Sequence, residues 1–411
     1  MFFFYARIIL HWFEIGIKGM RKSICLLPLA LGTLGLGLTE YVMMGILPDT
    51  ANSMHVSIPA AGNFISFYAL GVVFGAIMLV IIARTKPLKT ILLWLMGIYT
   101  VANLSTAFVN NYHAFCTIRF IAGLPHGAFF SVGAIAAGKL CEKGKENQAV
   151  ATMVAGMTIA NLLGIPLGTL ISHNISWRLT FLLIGLFGFL ILYSIQKLVP
   201  TLKPLPDTGF RGQFKFLKSL APWLLILAVI MGNGGIFCWY SYINPLLVNV
   251  SGIYSKYVSL IMVLAGAGMC IGNFLGGKLS DKFSPAIVAS LTQLSACFAL
   301  IIIFFYAQNP LVSIITMVIC TGCLFAVSAP QQVLLIENAK GGEMLGASFS
   351  QISFNLGNAL GAFVGGIPIE HGYSYQYTTV PGAFFAFIGF GLLYYFHKRY
   401  VVSNKNIQNF K

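Results

Sequence analysis

The sequence predicts an all-α integral membrane protein with twelve transmembrane helices in two six-helix bundles and a central cavity between the halves. Three observations support this class: the composition, the recurrence of long apolar runs, and the placement of the basic residues. Of the 411 residues, 58% are hydrophobic and only 9% are charged, whereas soluble domains carry about 25% charged residues. A helix needs about 20 apolar residues to cross a bilayer, and runs of that length recur along nearly the whole chain.

The apolar runs divide into six predicted helices on each side of a polar segment. Their predicted limits are 24–48, 59–83, 89–109, 113–139, 147–172, 177–198, 221–249, 255–279, 285–306, 310–336, 345–369 and 377–398. The segment between the two sets of six helices is TLKPLPDTGFRGQFKFLKS. It is rich in Pro, Gly and Lys, which indicates a linker. The predicted domains are therefore a bundle over 20–198, a linker over 199–220, a second bundle over 221–398 and a tail over 399–411.

The first 19 residues, MFFFYARIILHWFEIGIKG, fit neither a signal peptide nor a membrane span. Arg7, His11, Glu14 and Lys18 interrupt the apolar run, and no small-residue cleavage site follows. We expect the extension 1–19 to be either a start codon assigned too far upstream or an interfacial helix, and we favour the former.

The basic residues lie almost entirely on one side of the predicted helices. That side holds Arg21, Lys22, Arg84, Lys86, Lys89, Lys139, Lys143, Lys145, the linker cluster, Lys278, Lys282, Lys340 and the tail from Lys398. The opposite loops hold only Lys256, with Arg178 at a helix start. Because cytoplasmic loops carry the excess of Lys and Arg, both termini are predicted to be cytoplasmic, in a bacterial inner membrane. The same placement explains the net charge of +15 without a nucleic-acid partner.

The cysteine and glycine patterns favour helix packing over cofactor chemistry. Cys320 and Cys323 form a CxxC, but it lies within a predicted span, where buried thiols are more common than redox or metal sites. The glycine runs at 32–37 and 266–277 follow no strand, and small residues at such spacing let membrane helices approach closely. We therefore expect no cofactor, nucleotide or metal. An enzyme or receptor would need a catalytic cluster or a large extramembrane domain, which the sequence lacks.

Ionisable residues inside predicted spans mark the candidate functional site. Arg119 lies in RFIAGLPHGAFFSVGAIAAGKL, about 10 Å from the outer end of its helix, and Glu40 lies at a similar depth of about 12 Å. Such residues are costly in a membrane and mark transport pathways or buried pairs. His126 lies two turns beyond Arg119 on nearly the same face. It is either a proton relay or a histidine in a helix contact.

Amide and aromatic side chains in three later helices are candidate cavity residues. Asn233 and Trp239 of the seventh helix could hydrogen-bond and stack on a polar solute, although Trp also serves as an interface anchor. The weaker candidates are Gln331, Gln332, Asn355 and Asn358.

Two similar segments occupy equivalent places in the two halves. GNFLGGKLSDKFSP (272–285) follows the eighth helix and GAIMLVIIARTKPLK (75–89) follows the second. Both resemble the signature loop G-x-L-x-D-R-x-G-R of the major facilitator superfamily. The resemblance implies that Asp281 and Lys282 form a gating loop. In the earlier copy Arg84 replaces the aspartate. The resemblance therefore does not imply an equivalent gating contact in the first half.

Further segments resemble the drug:proton antiporter branch of that superfamily. They are RFIAG (119–123, with Gly123), GMTIANLLGIPLG (156–168, with Gly164, Pro166 and Gly168) and the first-helix and second-helix pattern over 39–71. ANLLGIPLG, SWRLTFLL, SAPQQVLL and NAKGG together are similar to an arabinose-exporting member of the branch.

The resemblance implies a monomeric secondary transporter in the lipid bilayer, driven by protons and moving a small-molecule substrate without a cofactor. The first and fourth helices line the central cavity in that superfamily, so a buried Glu40–Arg119 pair is expected. Glu40 would be the protonatable group, Arg119 its charge partner and His126 an auxiliary polar group. A static structural ion pair remains the alternative. Export of arabinose or a related sugar is expected. Export of drugs, purines or amino acids, or nutrient symport, remains open.

Overall fold

The computed structural model describes the backbone of residues 2–82, 86–141, 146–202, 215–339 and 343–402. Side chains in these ranges are described except at 2–23, 79–82, 146–148, 281, 343–344 and 347. Every long element of this part of the chain is a helix, and twelve stretches are long and apolar enough to cross a membrane. The prediction of an all-α protein with twelve transmembrane helices is confirmed.

The twelve stretches are called spans 1 to 12 in chain order. They are Ile24–Met54, Ile58–Met78, Leu88–Phe108, Tyr112–Leu140, Ala149–Asn174, Trp177–Leu198, Leu220–Asn249, Ser255–Ser280, Pro285–Tyr306, Pro310–Glu337, Ser348–Glu370 and Tyr375–Val402. The helices that contain spans 1, 2, 8 and 11 are longer and cover Phe2–Met54, Ile58–Ile82, Ser255–Lys282 and Glu343–Glu370. Spans 1–6 are called the N-terminal half and spans 7–12 the C-terminal half. The side on which span 6 ends and span 7 begins is called the linker side, and the opposite one the far side.

Prolines explain most departures from the predicted limits. The first helix was predicted to end at Pro48 but continues to Met54, since membrane helices tolerate proline when neighbouring groups compensate. Span 5 contains a π-helical turn, Ala160–Gly164, directly before Pro166. Span 10 consists of two helices, Pro310–Ala326 and Ser328–Glu337, with Pro330 in the first turn of the second. A proline lacks the backbone N–H and its ring crowds the preceding turn, so the helix bulges or breaks there.

The outer surface of the bundle is apolar. Large hydrophobic side chains with more than half of their surface exposed occur on many spans, including Phe74, Trp94, Leu190, Phe274, Phe298 and Phe384. A soluble protein rarely exposes so large an apolar surface. This surface is the one that contacts the hydrocarbon chains of the bilayer.

In the described part of the chain, the most extensive contacts between the halves are those of spans 2 and 11 and of spans 5 and 8. Close approach depends on glycine. A Cβ atom on Gly266 of span 8 would lie 2.2 Å from the backbone oxygen of Asn161 in span 5. Within the N-terminal half, a Cβ on Gly123 of span 4 would lie 2.1 Å from the Tyr68 oxygen in span 2. These positions therefore need a residue without a side chain.

Candidate functional site

A cavity of about 900 Å³ lies between the halves. Its lining comes from the linker-side parts of spans 4, 5, 7, 8, 10 and 11, with Glu40 and Tyr41 of span 1 at mid-membrane depth. The polar side chains of the lining are Glu40, Tyr41, His126, Ser131, Thr158, Asn233, Asn273, Ser328, Gln331, Gln332, Ser350 and Gln351. The cavity therefore faces the linker side.

Beside the cavity, Oγ of Ser131 lies 3.2 Å from Oγ of Ser348 and Sγ of Cys270 donates to the Thr158 carbonyl at 3.9 Å, and both contacts join the halves. Three further hydrogen bonds between described residues of the two halves close the bundle beyond the cavity, toward the far side. Each joins span 1 or 2 to span 7 or 11. They are Asn358 Nδ2 to Glu40 Oε1 at 3.2 Å, Ser66 Oγ to the Ala359 carbonyl at 3.0 Å, and the Asn244 side-chain amide to the Gly45 carbonyl. The structure thus describes a state that is closed on the far side.

Glu40 lies where the cavity ends and this closure begins. Its side chain is 2% exposed, and one carboxyl oxygen accepts the hydrogen bond from Asn358 of the other half. The second oxygen lies 3.7 Å from Nδ1 of His126. The group therefore contacts both halves of the protein and the cavity at once.

His126 connects Glu40 to a tyrosine of span 2. Its Nδ1 lies 2.9 Å from the hydroxyl of Tyr68, and its ring stacks on Phe130 with the centroids 5.2 Å apart. The Tyr68 hydroxyl also lies 3.4 Å from the Leu36 carbonyl. An imidazole nitrogen that faces a hydroxyl and a carboxyl group can accept or donate a proton. A proton can therefore reside on Glu40 or on His126, while the Tyr68 hydroxyl orients the imidazole.

Arg119 is fully buried, but it does not form the predicted ion pair. Nε donates to the Phe64 carbonyl at 3.2 Å, Nη1 donates to the Thr39 carbonyl at 3.0 Å, and Cζ lies 4.4 Å from the centre of the Tyr68 ring. Nη2 has no partner among the described residues. No nitrogen of Arg119 lies within 4.0 Å of a Glu40 oxygen in the described part of the chain. The direct pair is wrong because backbone carbonyls and an aromatic ring hold the guanidinium instead.

Of the four predicted cavity residues, two line the cavity and two do not. Asn233 and Gln331 line the cavity. Trp239 is buried in the far-side part of span 7, with its ring 5.9 Å from that of Tyr240, and it does not line the cavity. Asn355 is also absent from the lining, and its Nδ2 donates to the Gln351 carbonyl at 3.0 Å. In this structure both residues therefore lie off the cavity wall, and their part in substrate binding stays a prediction.

Two residues near the site were not predicted. Tyr68 contacts both His126 and Arg119, and Gln293 of span 9 contacts Asn233. Each is a polar residue inside an apolar run, which is the same signal that identified Glu40. Gln332 and Asn358, predicted as weaker candidates, line the cavity and bond to Glu40 respectively.

The residues of the sequence motifs either pack against span 1 or lie outside the residues that the structure describes. A Cβ on Gly164 would lie 1.9 Å from Leu38, and one on Gly168 would lie 2.4 Å from Val42. Lys282 ends the helix of span 8 and is exposed. The side chain of Asp281 and all of Arg84 lie outside the described residues, so the gating loop stays a prediction.

Residues 29–349 match the Major Facilitator Superfamily. The chain belongs to this superfamily. Its relatives among characterised and named proteins include "Putative transporter AraJ" of Escherichia coli K12, 45% identical over 382 residues, which cover 92% of this chain and 96% of AraJ. "Inner membrane transport protein YdhP" of Escherichia coli K12 is 36% identical over 92% of this chain and 96% of that protein. "Probable sugar efflux transporter" of Helicobacter pylori J99 is 27% identical over 88% of this chain and 91% of that protein.

A solved structure of a D-xylose–proton symporter has the same fold. It superposes with a TM-score of 0.74 at 15% identity and covers 91% of this chain and 97% of that one. As a major facilitator, this chain is a multi-pass membrane transporter and not an enzyme.

Proposed function

We propose that this transporter is a proton-coupled exporter of a small polar solute, with arabinose or a related sugar as the solute class. The observation that carries the proposal is the position of Glu40. Its carboxyl group meets the cavity, and it accepts a hydrogen bond from Asn358 of the other half.

A proton on Glu40 changes the free energy of the far-side-closed state. A carboxylate accepts a stronger hydrogen bond from Asn358 than a neutral carboxyl group does. It is also costly to bury, because no lysine or arginine belongs to the described lining of the cavity. Proton binding and the closure between the halves therefore affect each other, as coupling requires. In this proposal His126 accepts the proton or passes it to Glu40, the Tyr68 hydroxyl orients the His126 ring, and Arg119 holds span 1 against spans 2 and 4.

The proposed orientation places both termini and the linker in the cytoplasm, so the cavity of this structure faces inward. The excess of basic residues on the linker side supports it. Reporter fusions after Lys203 and Lys411 should report a cytoplasmic position, and a fusion at Asn309 an exterior one. The opposite result at the first two sites would refute this orientation.

Transport by purified protein in liposomes tests the coupling. With the membrane voltage held at zero, wild-type protein should accumulate labelled L-arabinose against its gradient only when a pH gradient is imposed. Glu40→Gln should exchange L-arabinose across the membrane but lose the response to the pH gradient. Asp49→Asn is the matched control, since Asp49 is an acid of the same span that accepts from Ser172 Oγ at 2.6 Å, away from the cavity. A gradient response that survives in Glu40→Gln would refute the proposal.

Export of lipophilic drugs is a second candidate function. It is supported by the aromatic residues of the lining, Phe130, Phe325 and Phe354, which suit an apolar ligand. The same liposomes, assayed with a panel of sugars and a panel of cationic drugs, separate the two functions. The remaining alternatives, export of purines or amino acids and nutrient symport, belong to the same panel.

Gating by Asp281 and Lys282 is also proposed from the loop motif alone.

A further inference from the structure

Three buried amide side chains of the C-terminal half form a chain that ends at the cavity wall. Nε2 of Gln293 donates to Oδ1 of Asn233 at 3.5 Å, and Nδ2 of Asn233 donates to Oε1 of Gln331 at 3.4 Å. All three side chains are at most 1% exposed. Asn233 and Gln331 line the cavity, and Gln293 lies behind Asn233.

Both ends of this amide chain are unsatisfied. Among the described residues, neither Nε2 of Gln331 nor Oε1 of Gln293 has a hydrogen-bond partner. Both internal bonds are also longer than the usual 2.7–3.2 Å or so for an N–H donor. Buried polar groups without partners are rare and costly. Since Gln331 belongs to the cavity wall, a solute in the cavity can accept a hydrogen bond from its amide.

Local structure holds the three amides in place. Span 10 breaks at Val327, and Gln331 lies in the first turn of the helix that follows. Gly232 makes room for Gln293, because a Cβ there would lie 2.3 Å from Nε2. Gln293 thus reaches Asn233 only because residue 232 has no side chain.

We infer that Asn233 and Gln331 form a binding subsite for the hydroxyl groups of an uncharged polyhydroxylated solute, with Gln293 as a positioning residue. Amides offer both donors and acceptors, which matches hydroxyl groups that also do both. The described lining supplies one acid and no lysine or arginine, so it disfavours an anion. Phe354, in the same lining, offers an aromatic face to the C–H side of such a solute. This inference rests on the proposed function for its setting, a solute cavity, but not on proton coupling.

Equilibrium binding without any gradient tests the inference. Full-length protein in nanodiscs is titrated with tritiated L-arabinose and, separately, with tetraphenylphosphonium, an apolar cation without hydroxyl groups. Gln331→Met and Asn233→Leu should each weaken L-arabinose binding about tenfold, the usual consequence of losing a buried hydrogen bond to a solute. Binding of tetraphenylphosphonium should change less than twofold or so, since it takes no hydrogen bond from an amide.

Two matched pairs separate recognition from folding. Asn338→Leu removes an amide at the end of the same helix as Gln331 that lies outside the cavity lining, and it should bind L-arabinose like wild type. Gly232→Ala should displace Gln293 and weaken L-arabinose binding about threefold or more. Gly391→Ala is its control, because no described atom lies within 4 Å of the added Cβ. Gln293→Met should weaken L-arabinose binding to a similar extent as Gly232→Ala.

Each outcome bears on one proposal. The inference is overturned if Gln331→Met and Asn233→Leu bind L-arabinose like wild type, if Asn338→Leu weakens its binding as much as they do, or if binding of both ligands weakens equally. Absence of L-arabinose binding by wild-type protein also overturns it. If the wild-type protein transports without a response to the pH gradient, while Gln331→Met and Asn233→Leu still weaken L-arabinose binding, then proton coupling is refuted and the binding subsite is not.

Discussion

Arg119 and Glu40 lie at a similar depth, but different groups satisfy them. The guanidinium bonds to the carbonyls of Phe64 and Thr39 and lies over Tyr68. The carboxyl group contacts Asn358 and His126. A guanidinium that bonds to backbone carbonyls holds helices together, whereas a carboxyl group among neutral side chains can gain and lose a proton. At the scale of the residue, Arg119 is therefore structural and Glu40 is the group suited to coupling.

Replacing both residues should not restore what each single replacement loses. Arg119→Met should lower the free energy of unfolding by roughly 2–3 kcal/mol, because two charge-assisted hydrogen bonds disappear. Glu40→Gln should abolish the pH response without a comparable loss of stability. In the double variant Glu40→Gln/Arg119→Met both losses should remain, because Arg119 has hydrogen-bond partners other than Glu40. Thermal unfolding in detergent and liposome flux at matched protein levels measure both.

A direct ion pair would give another pattern. Each single variant would then be unstable because it leaves an unpaired buried charge. The double variant would recover stability relative to both.

The residues of the site could be predicted from the sequence only in part. Glu40 and His126 are ionisable groups inside apolar runs, so their burial at a cavity follows from the cost of placing them in lipid. The partners of Arg119 could not be predicted, because any helix can offer a backbone carbonyl and the sequence does not mark which one. Asn358 lies 318 positions from Glu40. Its contact depends on how the two halves meet, which no local pattern encodes.

Among the elements, spans 2 and 4 show how closely the motif glycine lets helices pack. Gly123 faces the backbone at Tyr68, the residue that contacts both His126 and Arg119. The arginine motif RFIAG therefore contributes a charge and the small residue that positions the ring beneath it.

Gly123→Ala should separate spans 2 and 4 and displace Tyr68. Overpacking of this kind costs roughly 1–3 kcal/mol, so the midpoint of thermal unfolding should fall and transport should decrease. Gly138→Ala, in the same span, should have no such effect, because no described atom lies within 4 Å of its added Cβ. Equal midpoints for the two variants would contradict the packing described above.

The elements themselves were more predictable than their irregularities. Hydropathy determines which segments cross the bilayer, so all twelve spans followed from the sequence. The continuation of span 1 beyond Pro48 and the break of span 10 at Val327 did not. The result of a proline in a helix depends on whether neighbouring spans compensate for the missing hydrogen bond, and that is a property of packing.

At the scale of the whole molecule, spans 5 and 8 touch in the far-side-closed state. Gly266→Ala places a methyl group 2.2 Å from the Asn161 oxygen, across the interface between the halves. The contact belongs to the far-side-closed state of this structure, and we expect a methyl group at this place to favour the state that is open on the far side.

Electron spin resonance can measure that shift. With the native cysteines replaced, spin labels at Asn110 and Asn309, in far-side loops of the two halves, should move apart in Gly266→Ala. Gly277→Ala, in the same span and with no described atom within 4 Å of its added Cβ, should keep the wild-type distance. A distance unchanged in both variants would show that this contact does not control the conformation.

The charge content of the cavity has an electrical consequence. The described lining contains one carboxyl group and no lysine or arginine. Suppose that Glu40 changes its access from one side to the other as a carboxylate in one half of the cycle and as a neutral carboxyl group in the other half. Each cycle with an uncharged solute then moves one elementary charge across the membrane. A membrane voltage of 100 mV acts on such a charge with about 2.3 kcal/mol, which is enough for a concentration ratio of roughly fifty. A potassium diffusion potential set with valinomycin, at equal pH on both sides, should therefore drive L-arabinose flux in wild-type liposomes and not in Glu40→Gln.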